Sequence, residues 1–361
     1  MAFVVELKLL CITITMLFGL SKTALSLRQK TASVGDVYID NITGNDSNSC
    51  GSIESPCKSL RFSWDRFLAD DGNSSLSEVI FNLASGDCTE DKELFLVQPL
   101  SHRCSNSSVT GITVRAQQQD GFVQLCDSFQ ITSCSLNLVG VDFRSHANLT
   151  TTDSNVHIKR CLVESVDVYF MFLTSRVDFE YVRFLNLSNS RNQMLFLRSQ
   201  YVKFKSSHFR WINLDDVTKS FVDIEAAEGM ALEHCVISYS SGVKNSSRLF
   251  LIENVGETVL ANLTISENTN SIIQITAVNT PRPQSIIIDD LKILRSVNTT
   301  LEIENVCGNV SGVLVEDMIN SNQSLISFKN SNVDIEVRFP RERDILFQPL
   351  LLELGQVIGF M

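Results

Sequence analysis

Glycine (16) and proline (6) are scarce in the 361 residues, which excludes collagen-like, proline-rich and linker-dominated chains. No C-x-x-C occurs and the five histidines are scattered, so the residues offer no zinc set and no metal or cofactor is expected. Basic residues are outnumbered, 30 against 41, for a net charge of −11; this argues against a phosphate-binding surface, and no nucleic-acid partner is expected. Ten cysteines are too few for a disulfide-built scaffold, while 44% hydrophobic and 20% charged residues exclude a disordered chain. At roughly 150 residues per domain, length alone suggests two to three domains.

What is present begins with an export signal. Residues 1–26 carry Lys8, an apolar run from Leu9 to Leu20, and small residues at Ala24 and Ser26, the pattern of a secretory signal peptide cut after Ser26. The run is short of the roughly 20 residues of a membrane span, although Glu6 makes the start less basic than usual and a retained anchor is the alternative. Cleavage removes Glu6, Lys8 and Lys22 and leaves 28 basic and 40 acidic residues. Asn-x-Ser/Thr sequons support export. The composition predicts about 5 by chance, and 11 occur, at Asn41, Asn45, Asn73, Asn106, Asn148, Asn186, Asn245, Asn262, Asn298, Asn309 and Asn322. Part of the excess can reflect Asn- and Ser-rich turns; a secreted or cell-surface glycoprotein is the expectation.

From Leu136 onward the chain divides into segments that begin apolar-x-apolar-x-x-apolar-x-apolar. The frames are Leu136/Leu138/Val141/Phe143, Val156/Ile158/Cys161/Val163, Val177/Phe179/Val182/Phe184, Val202/Phe204/Ser207/Phe209, Met230/Leu232/Cys235/Ile237, Thr258/Leu260/Leu263/Ile265, Ile286/Ile288/Leu291/Ile293 and Val313/Val315/Met318/Asn320. Their starts lie 20, 21, 25, 28, 28, 28 and 27 residues apart, a period that marks a solenoid. Alternation of period two predicts strands, since residues i and i+2 share a face. A second apolar stretch closes most segments, at 170–173, 194–197, 221–224, 249–252, 272–275, 301–303 and 325–328. Two or three short strands per repeat, stacked at about 4.8 Å, predict parallel sheets around an apolar interior.

With these repeats the chain resembles the right-handed parallel β-helix, the pectate-lyase-like superfold, over roughly 79–339. The turn after the closing strand adds to the resemblance: Ile252-Glu253-Asn254, Ile303-Glu304-Asn305 and Phe328-Lys329-Asn330, with Ser175 and Ser199 at that place in earlier coils. Stacked Asn in such a turn adopts the left-handed conformation and bonds along the stack, although Asn is also simply common in turns. The amino-terminal part resembles the opening of extracellular β-helix proteins, including those called polymorphic-outer-membrane-protein-like. It has a short strand at Val37-Tyr38-Ile39-Asp40, then Gly44-Asn45-Asp46-Ser47, then Cys50-Gly51-Ser52 to Pro56-Cys57-Lys58-Ser59-Leu60. Leu60, Trp64, Phe67 and Leu68 lie on one face of a short helix that can cap the open end of the stack. Val79-x-Phe81-x-Leu83 and Ile112-x-Val114 are expected as early coils.

With Cys11 in the signal, nine cysteines remain. Cys50 with Cys57 is the best local disulfide; Cys88 with Cys104 and Cys126 with Cys134 are further possibilities. Cys161 and Cys235 share the column of Val182 and Leu263 and are expected as buried free thiols.

Outward positions in the frames are His157/Lys159, Asp178/Glu180, Lys203/Lys205, Ala231/Glu233, Val259/Ala261, Ile287/Asp289 and Leu314/Glu316. In register, Lys159, Glu180, Lys205 and Glu233 form a ladder of alternating sign, favoured here as structural charge pairing. If the chain is an enzyme, its catalytic residues are Asp178, Glu180, Lys203 and Lys205. Asp215-Asp216 and Asp289-Asp290 invite a glycosidase reading, but each pair is adjacent in sequence. The Gly-His-Gly and Arg-x-Lys elements of polygalacturonases and the dense Asp cluster of calcium-dependent pectate lyases are both missing, so the superfold's best-known activities have no support beyond the fold.

Val259, Ile287 and Leu314 form an outward aliphatic stripe, and the tail at 345–352 is its candidate cover or a cap for the far end. The 17 residues 345–361 include Pro349 and Glu353 and are too short for a span; a lipid-anchor signal cleaved near Ser331 or a piece of a larger surface protein are the alternatives.

The expected organisation is a signal peptide (1–26), an amino-terminal strand, Cys loop and capping helix (27–78), one all-β solenoid (79–340) and an apolar tail (341–361). The expected role is a secreted or cell-surface, glycosylated, non-catalytic structural or interaction module for glycans or proteins, with a polysaccharide lyase or glycoside hydrolase as the alternative.

Overall fold

The computed structural model describes residues 33–68, 76–84, 99–118, 123–125, 127–143, 147–164, 168–188, 195–215, 219–243, 247–277, 284–316, 326–336 and 352–354. It is an all-β parallel solenoid of about eight turns, 64% strand, with one α-helix among the described residues, Leu60–Phe67. Among the described residues no helix is long and apolar enough to cross a membrane.

The first sheet carries the repeat. Its inward column runs Leu136, Val156, Val177, Val202, Met230, Thr258, Ile286, Gly308 and Val333, each paired in parallel with the next. The ladder is unbroken from Leu136 to Val333, about 40 Å at one sheet spacing per step. Upstream it continues through strands Gly111–Ala116, Leu76–Leu83 and Ser33–Ile39. A second sheet follows the bend through Val141–Phe143, Leu162–Val163, Arg183–Leu185, His208–Arg210 and Val236–Ser238, and a third holds the closing stretches in register from Leu100 through Phe129, Leu149, Phe170 and Leu195 to Ile326.

The x-x pair inside each frame is where the coil bends. Its second residue is left-handed in eight successive coils: Gly140, Arg160, Tyr181, Ser206, His234, Asn262, Asp290 and Gly312. That conformation costs a side-chain-bearing residue roughly 1–2 kcal/mol, but the ladder carries through it. The amides of Arg160, Tyr181, Ser206 and His234 donate to the carbonyls of Glu180, Lys205, Glu233 and Ala261 at 2.8–2.9 Å. One bent residue therefore turns the chain between two sheets without leaving a backbone donor unpaired.

Side chains repeat with the backbone. Phe179 stacks on Phe204 with centroids 4.5 Å apart and Phe184 on Phe209 at 4.7 Å, face-to-face pairs imposed by register. Each is fully buried, a transfer term of roughly 1.5–3 kcal/mol apiece. The buried polar residue between Phe204 and Phe209, Ser207, is satisfied. Ser207 Oγ donates toward the carbonyls of Lys205 and Phe179 at 3.2 and 3.4 Å and accepts from the Val182 amide. Cys161 and Cys235, in the same column, bond carbonyls in the same way and are buried free thiols.

Three sequence expectations are corrected. The frame set at Val313 and Val315 slid by five residues: Ile286 and Ile288 pair with Gly308 and Val310, and Ile293 pairs with Val315. Glycine in the first column hides the strand start, and it is there because a Cβ on Gly308 would fall 1.9 Å from the Ile286 carbonyl oxygen. In consequence the outward neighbour of Ile287 is Asn309, and Leu314 pairs with Lys292, so the aliphatic stripe does not include Leu314. In the turn after the closing strand, Asn254, Asn305 and Asn330 are left-handed as expected, and Asn305 Nδ2 donates to the Ala277 carbonyl at 3.1 Å. Thr174, however, holds that place instead of Ser175, and strand Leu195–Lys205 runs straight through Ser199.

The helix forms as expected, with Ser59 accepting from the Phe62 amide as its N-cap. Trp64 packs on Phe81 and Phe129, at 5.5 and 5.4 Å, over the first coil. The Cys50–Cys57 disulfide is present; the second is Cys104–Cys134. Stacking puts Arg103 beside Thr132 and so brings Cys104 to Cys134 across one coil, replacing the pairings with Cys88 and Cys126, both of which lie outside the described residues. Of the tail, Leu352–Leu354 pairs with the third-sheet strand at Ile326–Phe328, away from the aliphatic stripe. Residues 1–26, the rest of the tail, and the sequons at Asn73, Asn245 and Asn322 lie outside the described residues.

Candidate functional site

The bends leave two outward columns on the first sheet. One runs Thr113, Asn137, His157, Asp178, Lys203, Ala231, Val259 and Ile287; the other runs Asn82, Arg115, Val139, Lys159, Glu180, Lys205, Glu233 and Ala261. In the first column a polar and charged half, Thr113 to Lys203, gives way to Ala231, Val259 and Ile287, while the second column stays charged from Lys159 to Glu233. Over the polar half lies a groove of about 960 Å³, walled at one end by Tyr38, Ile53 and Gln117.

The groove brings together all four residues selected as catalytic candidates, Asp178, Glu180, Lys203 and Lys205. Asp178 and Glu180 are two residues apart on one strand, so their Cα atoms are separated by about 6.6 Å on the same face. Each is held by neighbours. Glu180 lies 2.7 Å from Lys159 Nζ and 3.5 Å from Lys205 Nζ, and Asp178 lies 3.3 Å from His157 Nδ1. Lys203 Nζ crosses diagonally to Glu233 at 2.7 Å, so the expected alternation of Lys159, Glu180 and Lys205 is closed by Lys203 instead of Lys205 at its far end.

Two of these contacts shift a charged group. The Lys159 hydrogen bond holds the Glu180 carboxyl below the usual carboxylate range, aided by the nearby lysine charges and opposed by partial burial. The Glu233 hydrogen bond raises Lys203. Both shifts deepen ionisation at neutral pH. A general acid needs a carboxyl raised toward neutrality and a lysine base needs a depressed one; Glu180 and Lys203 move the other way.

The paired acids are elsewhere. Asp215 accepts from Ser188 Oγ at 2.8 Å, Asp289 from Ser311 Oγ at 2.9 Å, and Asp290 pairs with Lys292 at 3.2 Å; none of the three lines the groove. Asp216 is outside the described residues. His102, Cys104 and Cys134 are the only described group with metal-ligand spacing, and the disulfide between the two cysteines removes both thiolates.

Among the described sequons, Asn41, Asn45, Asn148, Asn186 and Asn309 are exposed. Asn262 Nδ2 contacts His234 Nδ1 at 2.9 Å and Asn298 Nδ2 donates to Asn270 Oδ1 at 3.0 Å. Asn106 ends the 3₁₀ turn Cys104–Asn106.

Sequence reasoning missed the groove's wall and two of its cations, Arg115 and Arg160. Arg160 occupies the left-handed bend and was discoverable as the second x of its frame; Gln117 directly follows the first-sheet strand Gly111–Ala116, whereas Ile53 arrives by tertiary docking, for which the sequence carries no periodic signal. Comparison with protein-family models, curated proteins and solved structures yields no match.

Proposed function

We propose that this chain is a secreted or cell-surface, glycosylated module that recognises an extended ligand, a glycan or a protein segment, along the first-sheet groove without transforming it. The observation that carries this reading is the state of the groove's charges: lysines and carboxylates paired between coils, with Glu180 and Lys203 driven deeper into ionisation. Groups locked in that state offer fixed charge for recognition and little proton transfer. The groove lining has five Lys and Arg against two carboxylates in a chain of net −11, which favours an anionic ligand.

The finer fold reading is the right-handed parallel β-helix of pectate-lyase-like type, supported by the strong right-handed preference of parallel crossovers and by the left-handed Asn turns. Export is supported by the signal-like residues 1–26, by the sequons, and by two disulfides, which persist in oxidising compartments.

One observation favours a lyase or hydrolase instead: Asp178, Glu180, Lys203 and Lys205 converge on a single groove. Glycan-array binding separates the readings in part. Binding to acidic oligosaccharides, lost in the Lys203→Glu/Lys205→Glu variant, is the expected result, and binding unaffected by that reversal contradicts the groove assignment. Failure to bind any glycan shifts the proposal to a protein ligand.

A further inference from the structure

The left-handed turn that follows the second sheet repeats through Asn186, Trp211, Tyr239, Glu267 and Arg295. Their amides keep the stack: Asn186 donates to the Arg210 carbonyl at 3.2 Å and Trp211 to the Ser238 carbonyl at 3.1 Å. A left-handed bend is met most easily by Asn or Gly, and Asn186 is an instance. Bulky aromatics in that conformation are outliers, yet Trp211 and Tyr239 both have φ 56°. Both are also solvent-facing, 43% and 40% exposed. Strained placement of large apolar rings at the surface points to something that uses them.

The rings form one platform. Their centroids are 6.1 Å apart at a tilt of 31°, and Arg210 Cζ lies 4.0 Å from the indole and 4.8 Å from the phenol. Tyr239 belongs to the coil after Trp211. Asn186 stands in the coil before it, at the same corner, and begins the sequon Asn186-Leu187-Ser188. Its Nδ2 donates one hydrogen to Glu164 Oε1 of the preceding coil at 2.9 Å, and a glycosidic bond at Nδ2 replaces only the other. The half-buried sequon residues Asn262 and Asn298 have no exposed Trp, Tyr or Phe at the neighbouring places of their ladders; Asn262 has His234 and Asp290, and Asn298 has Asn270.

We propose that Asn186 carries an N-linked glycan whose first N-acetylglucosamine packs its apolar face against the Trp211 indole, so that the ring pair serves as a seat for the chain's own sugar. Aromatic faces take the C–H face of a pyranose as they take other apolar edges, and Arg210 stiffens the seat through its cation–π contacts. The proposal rests on the secreted-glycoprotein reading given above.

The test uses full-length protein secreted from a glycosylating eukaryotic cell, with glycopeptide mapping and acrylamide quenching of tryptophan emission. The chain has two tryptophans, and Trp64 is buried, so quenching reads Trp211. The expected results are an occupied Asn186 and an about twofold higher quenching constant in Asn186→Gln, as a packed ring face is uncovered. Asn186→Gln should also lower Tm, and by less beside Trp211→Ala than in the wild-type background, the non-additivity of a direct contact; the part common to both backgrounds is the loss of a left-handed Asn and of its bond to Glu164. Equal quenching in wild type and Asn186→Gln overturns the packing. An unmodified Asn186 beside an occupied Asn41 or Asn45 overturns this proposal alone, and a chain with no occupied sequon overturns the glycoprotein reading beneath it.

Discussion

Glu180 sits between lysines of the two adjoining coils, with Oε2 2.7 Å from Lys159 Nζ and Oε1 3.5 Å from Lys205 Nζ. A single carboxylate thus ties three successive turns through side chains, on the same face whose backbone ladder sets their register. Its carboxyl is held below the ordinary value of 4.5. The contribution to stability is therefore complete above 4.5 and is lost as pH falls through the lowered folded-state value. Glu180→Gln is expected to cost about 0.2–1 kcal/mol per pair lost at neutral pH, with the difference from wild type closing in acid. Urea unfolding of both proteins at pH 7 and pH 3 checks this; a gap that stays constant contradicts it.

The three free cysteines among the described residues differ in kind. Burial pushes the Cys161 and Cys235 thiols up to about 12, whereas Cys307 is exposed. Since the thiolate is the reactive form, native alkylation followed by peptide mapping should label Cys307 and spare Cys161 and Cys235 until denaturant is added. Labelling of the buried pair in the native protein would show that the column is not closed.

Stacking, and not closeness in sequence, decides the second disulfide. Non-reducing digestion should yield a peptide joining Cys104 to Cys134, and replacing both by Ser should cost about 2–4 kcal/mol. A Cys88–Cys104 linkage would contradict the register between Leu100–Arg103 and Phe129–Thr132.

Ser207 is the polar member of an otherwise apolar column and is fully buried. Ser207→Ala removes the acceptor of the Val182 amide and should cost about 1–3 kcal/mol. Ser207→Cys should cost less, because Cys161 and Cys235 hold equivalent places with the same carbonyl contacts. Chemical denaturation of the two variants compares them directly, and equal losses would show that the hydrogen bonds at this position carry no weight.

The repeat was legible because its signal is local. Val156/Ile158 through Ile286/Ile288 alternate with period two, and that alternation is what places them on one face of the first sheet. It failed where a column residue carries no side chain: Gly308 hid the strand start, and the frame moved onto Val313 and Val315, which belong to the next stretch of the same coil. The left-handed corners were also present in the frames, two residues after Phe209 and Ile237, but Trp211 and Tyr239 do not announce a turn as Asn does. The four charged candidates met in the groove because the column pattern fixes register. The wall residues Tyr38 and Ile53 and the partner of Cys104 depend on how distant segments dock, and no spacing encodes that.

In the proposed role the first-sheet groove holds charge for recognition and performs no proton transfer. The most direct measurement is reducing-sugar release from uronic-acid polymers by the wild-type chain beside its Asp178→Asn and Glu180→Gln variants. A recognition groove gives no release above background from any of the three. Release by the wild type that either substitution abolishes would contradict it.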